Sequence, residues 1–180
     1  MRRLLHALAV GLVGAGIAHI VILLLVPAFS ERDAWSRLAM VAAPNKVVRL
    51  DAEIGGAPVV KALDPLFFEA ACRFELSDGV VRINNAGKVP YWSASVYDRS
   101  GQNVYNFNDR TATDGNLDFV VLTPAQMIEL RKGLPEEFAK SIFVETPIDE
   151  GIVVVRAFVP DASWKPEVSR FLDGISCEMQ

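Results

Sequence analysis

The residues best equipped for chemistry in this 180-residue sequence lie in one stretch. Tyr91, Ser93, Ser95 and Tyr97 alternate with Trp92, Ala94 and Val96, so a strand here turns its hydroxyls to one face and its apolar groups to the other. Asp98-Arg99-Ser100-Gly101 turns the chain, and Asn106, Asn108, Asp109 and Arg110 return beside it. Hydroxyls, amides and charges on one face can hold a small or sugar-like ligand. Arg156 joins them from IVVVRAFV, an otherwise apolar strand. A guanidinium there needs water or a carboxylate, because burying it alone is costly, and Asp98 or Asp109 are its candidate partners. The candidate ligand set is therefore Tyr91, Ser93, Tyr97, Asp109, Arg110 and Arg156. A solvated sheet face with one salt bridge is the competing reading. Paired carboxylates also run glycoside hydrolysis, so Asp98 and Asp109, with Arg110, define an alternative hydrolytic site.

Absences narrow the chemistry. Both histidines, His6 and His19, precede residue 20, so the rest of the chain lacks the usual general base of Ser–His and Cys–His systems. It also lacks the commonest metal ligand. Gly55-Gly56 is a lone pair rather than a phosphate-cradling loop. No metal and no cofactor is expected, and a non-enzymatic role is favoured. Cys72 and Cys177 are the two cysteines. In an oxidising compartment such a pair suggests a disulfide, against the alternative of two unrelated thiols. A closed loop of about 100 residues contributes roughly 4–5 kcal/mol in the chain-entropy picture.

These groups must be positioned by a chain that opens on a different kind of segment. Met1-Arg2-Arg3 precedes an apolar run from Leu4 to Phe29, free of formal charge from Ala7 onward. As a helix, twenty-three such residues reach about 34 Å, enough for the roughly 30 Å hydrocarbon core. Residues 1–29 are read as a transmembrane signal-anchor. A cleaved signal is the rival, with Ala28-Phe29-Ser30 imitating its cleavage site, but its apolar core would be shorter. Arg2 and Arg3 before the span favour an inside N-terminus and an exported remainder. Ala7, Gly11, Ala15 and His19 form a four-residue stripe of the kind that lets a second helix approach closely.

After residue 30 there are 22 acidic and 16 basic residues, a net charge of −6. This argues against nucleic acid and against tight binding to anionic headgroups. Residues 30–45 read as a juxtamembrane amphipathic helix and linker. Ser30 is its cap, Asp33 its third position, and Ala34, Trp35, Leu38, Val41 and Ala42 its apolar face. That face lies either in the membrane interface or on the domain.

Residues 46–180 are expected to form one domain. Strands are predicted over Lys46–Ile54, Val59–Leu63, Arg73–Leu76, Val80–Asn84, Pro90–Tyr97, Asn103–Asn108, Leu117–Leu122, Ser141–Glu145 and Ile152–Val159. Ser77-Asp78-Gly79 is read as a hairpin turn. Asp64-Pro65 predicts a helix through Phe67, Phe68, Ala71 and Cys72. Thr123-Pro124-Ala125-Gln126 has the capping-box pattern, and Pro166–Leu172 is a last helix ending at Gly174. The fold class is α+β, mainly β: a transmembrane helix plus one antiparallel sheet or sandwich with short covering helices.

Tyr91-Trp92-Ser93, Tyr97-Asp98, Asn108-Asp109-Arg110 and Val155-Arg156-Ala157-Phe158-Val159-Pro160, with Trp164 and Pro166, occur in an order that resembles the bacterial domain-of-unknown-function 1254 family and its companion 1214 domain. The resemblance covers residues 73–172. It implies an exported β-rich domain, here of the short membrane-anchored alphaproteobacterial type. It also implies a companion-domain membrane protein as partner. No activity transfers with it. Taken together, the expectation is a single-pass inner-membrane protein with a periplasmic binding or interaction module. Its partners would be the membrane, the companion protein or a second copy through the span.

Overall fold

One helix, α1 (Arg2–Val41), runs unbroken from the apolar segment into the domain in the computed structural model of the chain. The structure describes residues 1–54, 57–60 and 64–180, and the side chains of all these except 27–34, 53, 54, 57 and 58. Arg2–Val26 is long and apolar enough to cross a membrane and is exposed throughout. Ser30 is an interior helical residue rather than a cap. Pro27 offers no N–H to the ladder, yet the helix continues past it and ends at Ala42. The capping side chains expected at Ser30 and Asp33 lie outside the described residues.

The strands are β1 (Val47–Arg49), β2 (Glu53–Ile54), β3 (Ala57–Pro58), β4 (Phe67–Glu75), β5 (Val81–Asn85), β6 (Trp92–Asp98), β7 (Asn103–Asn108), β8 (Leu117–Leu122), β9 (Ile142–Glu145), β10 (Glu150–Phe158) and β11 (Ser176–Met179). Helix α2 (Pro124–Leu130) follows β8 and α3 (Lys165–Asp173) follows β10. They build a five-stranded sheet, β1-β4-β10-β6-β7, facing a four-stranded sheet, β11-β5-β8-β9, with β2-β3 as a separate ribbon. Alternation explains the layer between the sheets. Trp92, Ala94 and Val96 from β6 and Val153, Val155 and Ala157 from β10 point inward and are at most 2 % exposed. Phe107 bridges the layers edge-on, 5.9 Å from Trp92 and 5.0 Å from Phe119.

Several expectations are corrected. The stretch after Asp64-Pro65 is strand, not helix: Asp64 Oδ1 accepts from Leu66 N at 2.9 Å and its carbonyl from Phe67 N at 3.1 Å, closing a turn. Phe67–Glu75 then pairs with β10 over nine residues. Ala70, Ala71 and Cys72 are all buried because β4 is covered on both faces, which erases the alternation that marks a half-exposed strand. Lys46–Ile54 is broken by a turn at Leu50-Asp51. Val59 and Val60 are not strand, and the rest of Val59–Leu63, like Gly55-Gly56, lies outside the described residues. Ser77-Asp78-Gly79 is no hairpin: β4 and β5 belong to different sheets, so the chain switches layers there. β8 and β9 are parallel, joined by the crossover through α2 that such pairing requires. β11 lies beyond Gly174, where the last predicted element ends.

The capping box at α2 holds the layer switch. Thr123 Oγ1 accepts from Gln126 N, and Gln126 Oε1 accepts from Thr123 N. Gln126 Nε2 is left free to donate to the carbonyls of Leu76 and Gly79, at 2.8 and 3.0 Å. Cys72 on β4 and Cys177 on β11 are joined, so a covalent bond 105 residues apart in sequence links the two sheets.

The outer face of the five-stranded sheet receives the end of α1. Leu38 is buried with Leu50, Val59, Ala71 and Ile152, and Trp35, Val41, Val48 and Val154 pack around them. The apolar face of residues 35–42 therefore lies on the domain rather than in a membrane interface.

Candidate functional site

The strand register decides which of the six candidate residues meet. Ser93 lies directly between Arg156 on β10 and Asn108 on β7. Tyr91 precedes β6 at the same end, its carbonyl accepting from Phe158 N at 3.2 Å. Asp109 N donates to Trp92 O, also at this end. Tyr91, Ser93, Asp109, Arg110 and Arg156 thus share one end of the sheet. Tyr97 is opposite Ile152, near the other end, about 13 Å along the strand from Ser93.

Arg156 is anchored, but not by the partners expected. Its Nε donates to Glu69 Oε1 at 2.8 Å, its Nη2 lies 3.8 Å from Asp64, and its guanidinium sits 4.5 Å from the centre of the Phe67 ring. Glu69 is its direct cross-strand neighbour, so register alone sets the pair. In the sequence the helix-start pattern Asp64-Pro65 hides Glu69, since a residue within a helix has no cross-strand partner. Phe67 also meets Phe158 at 5.5 Å and Tyr91 at 6.4 Å, and Leu66 beside it is half exposed. The result is an aromatic–guanidinium patch with one carboxylate under it.

Asp98 and Asp109 do not pair. They lie beyond opposite ends of the six-residue β7, about 20 Å apart at strand rise, well outside the separations that two cooperating carboxyls of a glycosidase need. Asp98 is occupied in its turn, accepting from Ser100 Oγ at 2.6 Å and Gln102 N at 2.9 Å. Burial pushes its carboxyl up, but bonds from the Ser100 hydroxyl and the Gln102, Ser100 and Gly101 backbone outweigh that, holding it below the ordinary range. Arg110 is exposed, and its N–H donates to Asn108 Oδ1. Asp109 Oδ1 is buried without a hydrogen-bond partner.

A cleft lies at the other end of the sandwich. It holds about 430 Å³ between the β4–β5, β6–β7 and β9–β10 connections, and is lined among others by Glu75, Asp98, Arg99, Asp149 and Glu150. None of the six candidate residues lines it. Among the described residues no group of three or more His, Cys, Asp or Glu is arranged to hold a metal ion. Arg99 Nη1 pairs with Glu150 at 2.5 Å, and its guanidinium lies 5.5 Å from the centre of the Trp35 ring. The cleft end is thus the end at which α1 arrives. Ala7, Gly11, Ala15 and His19 are exposed on the span.

Residues 68–179 match the family described as Protein of unknown function (DUF1254). No curated protein matches the sequence. Among solved structures, the VPA0106 protein from Vibrio parahaemolyticus superposes with TM-score 0.60 at 9% identity, over 84% of this chain and 35% of that one. A putative uncharacterized protein from Burkholderia cenocepacia gives TM-score 0.47 at 15% identity, over 74% of this chain and 36% of that one. The chain spans about a third of the length of the structures it matches.

Proposed function

This chain belongs to the DUF1254 family of proteins of unknown function, and from that premise we propose that it is a membrane-tethered interaction module of the bacterial cell envelope. In this reading residues 1–29 are an uncleaved inner-membrane anchor. Residues 30–45 connect it to a domain, residues 46–180, in the periplasm. A companion-domain membrane protein or a second copy of the chain is the partner.

The observation that carries the reading is α1. Its first part is wholly exposed and apolar, a state that water disfavours and a bilayer accommodates, while its last turns are packed on the sheet. Arg2 and Arg3 support an inside N-terminus. The Cys72–Cys177 link fits an oxidising compartment. The partner-facing surface in this proposal is the patch of Leu66, Phe67, Tyr91, Ser93 and Arg156, with Asp109 and Arg110 at its rim. Aromatic and arginine side chains in one place are the usual composition of interface hot spots.

A reporter fused after Gln180 tests the topology. Alkaline phosphatase should be active there and green fluorescent protein dark; the reverse pattern sinks the periplasmic assignment. A photo-crosslinking residue at Leu66 tests the patch. A discrete adduct that is lost in Arg156→Ala supports it. An adduct pattern no different from that of a crosslinker at the distant Ile128 counts against it.

A further inference from the structure

The continuity of α1 fixes which part of the sandwich lies nearest the membrane. We infer that the tip of the β6–β7 hairpin, residues 99–105, rests in the headgroup layer of the bilayer that α1 crosses. The inference builds on the reading of the N-terminal helix as a membrane span.

Distance is the first argument. The apolar run ends at Phe29, and six helical residues later Trp35 makes the first described contact with the domain, through Arg73 and Arg99. Six residues rise about 9 Å. The headgroup region is roughly 5–7 Å deep on each side of the hydrocarbon core. Arg99 is the first residue of the hairpin tip and stacks on Trp35, so the tip begins within a few ångströms of that layer. The chain leaves α1 toward β1, which forms the edge of the sheet opposite β7.

The composition of the tip agrees. Ser100–Asn108 is nine residues without a charge, in a domain whose acidic excess is otherwise repelled by anionic headgroups. Gly101 through Asn106 are all exposed, and Val104 and Tyr105 are exposed large apolar side chains at 37% and 43%. Tyrosine is the kind of side chain that settles at a membrane–water interface. A second contact accounts for the open edge. β7 ends its sheet, and its strand carries no Lys or Pro, the usual guards of such an edge. At its far end the Thr111 hydroxyl donates to Asn108 O and accepts from Asn108 N, while among the described residues the near end shows a bond from the Asn106 amide to Asn103 Oδ1 and no side-chain cap on the strand backbone. The contact commits to neutral headgroups, because no basic cluster drives it.

Depth-resolved quenching on the full chain in phosphatidylcholine vesicles tests this. The native cysteines are joined to each other, so single cysteines placed by Val104→Cys, Asn103→Cys, Glu167→Cys and Leu12→Cys accept an environment-sensitive fluorophore selectively. Labels at residues 103 and 104 should lose most of their emission with a headgroup nitroxide lipid. The label at residue 167, on exposed α3, should keep its emission. The label at residue 12 should be quenched by a mid-chain nitroxide. If residue 12 is quenched while 103 and 104 behave like 167, the hairpin contact is wrong and the span stands. If residue 12 escapes quenching, the span reading fails and takes the contact with it.

Discussion

The Arg73 guanidinium lies 5.1 Å from the centre of the Trp35 ring while its Nη2 donates to the Ala42 carbonyl at 3.1 Å. One side chain on β4 thus grips α1 both at its first described contact and at its C-terminal cap. Trp35→Ala should loosen this docked segment by about 2 kcal/mol, from lost packing and lost cation–π contact. Hydrogen exchange should show reduced protection over residues 38–45 while the β6–β8 core stays protected. Unchanged exchange would mean that Leu38 and Val41 suffice.

The Cys72–Cys177 disulfide joins the five-stranded sheet to the four-stranded one. Cys177→Ser, or reduction, should lower thermal stability, with an upper bound near 4–5 kcal/mol from loop entropy. β11 should be the first strand lost, since it pairs with β5 alone. Thermal unfolding with and without reductant measures the difference. The Cys72→Ser and Cys177→Ser double variant should resemble either single one.

Arg156 and Glu69 form an ion pair whose carboxylate is the better buried member, 13% exposed against 37% for the arginine. Arg156→Met should cost about 1–3 kcal/mol, because the part-buried Glu69 side chain loses its hydrogen-bond donor. Glu69→Gln in the same background should return part of that loss. A double-mutant cycle by chemical denaturation reads the coupling, and additive effects would show that the patch is not held by this pair.

Asp98 gives the β6–β7 turn a pH dependence. A carboxyl whose pKa is lowered on folding stabilises the folded state above its unfolded value. That contribution is lost as pH falls through the folded value. Wild type should therefore exceed Asp98→Asn in stability at neutral pH, and the gap should close below about pH 4, near the unfolded value. A gap that persists at lower pH would assign the effect to turn geometry instead of ionisation. Gly101, at φ +84°, holds the same turn in the left-handed region and is the wrong place for that comparison.

What could be read in the residues themselves was local. Trp92–Tyr97 announced itself by strict alternation, and its inward residues are the buried ones. Thr123 and Gln126 announced the cap of α2, because a capping box is a contact between residues three apart. The apolar run was legible because a bilayer reads only length and hydropathy. Tyr91, Ser93 and Arg156 were legible as part of a polar set with Asp98 or Asp109 as the ionic partner, whereas Leu66, Phe67 and Glu69 were not, and Tyr97 lies at the other end of the sheet.

Tertiary structure decided everything that depends on which strand lies beside which. Phe67–Cys72 carries no strand signal because α1 covers the outer face of β4 and the opposing sheet its inner one, and two-sided burial leaves no period to detect. Glu69 became the partner of Arg156 only once β4 was placed beside β10 in a register no local pattern specifies. The layer switch at Ser77–Gly79 uses the same turn residues as a hairpin, but its two strands enter different sheets and the Gln126 amide holds it by reaching back to Leu76 and Gly79. Composition and short-range spacing therefore determined the alternating strands, the cap of α2 and the apolar N-terminal run. Long-range pairing, which is paid for in chain entropy and repaid in packing, determined the site and the corner of the domain that α1 holds closest to the apolar run.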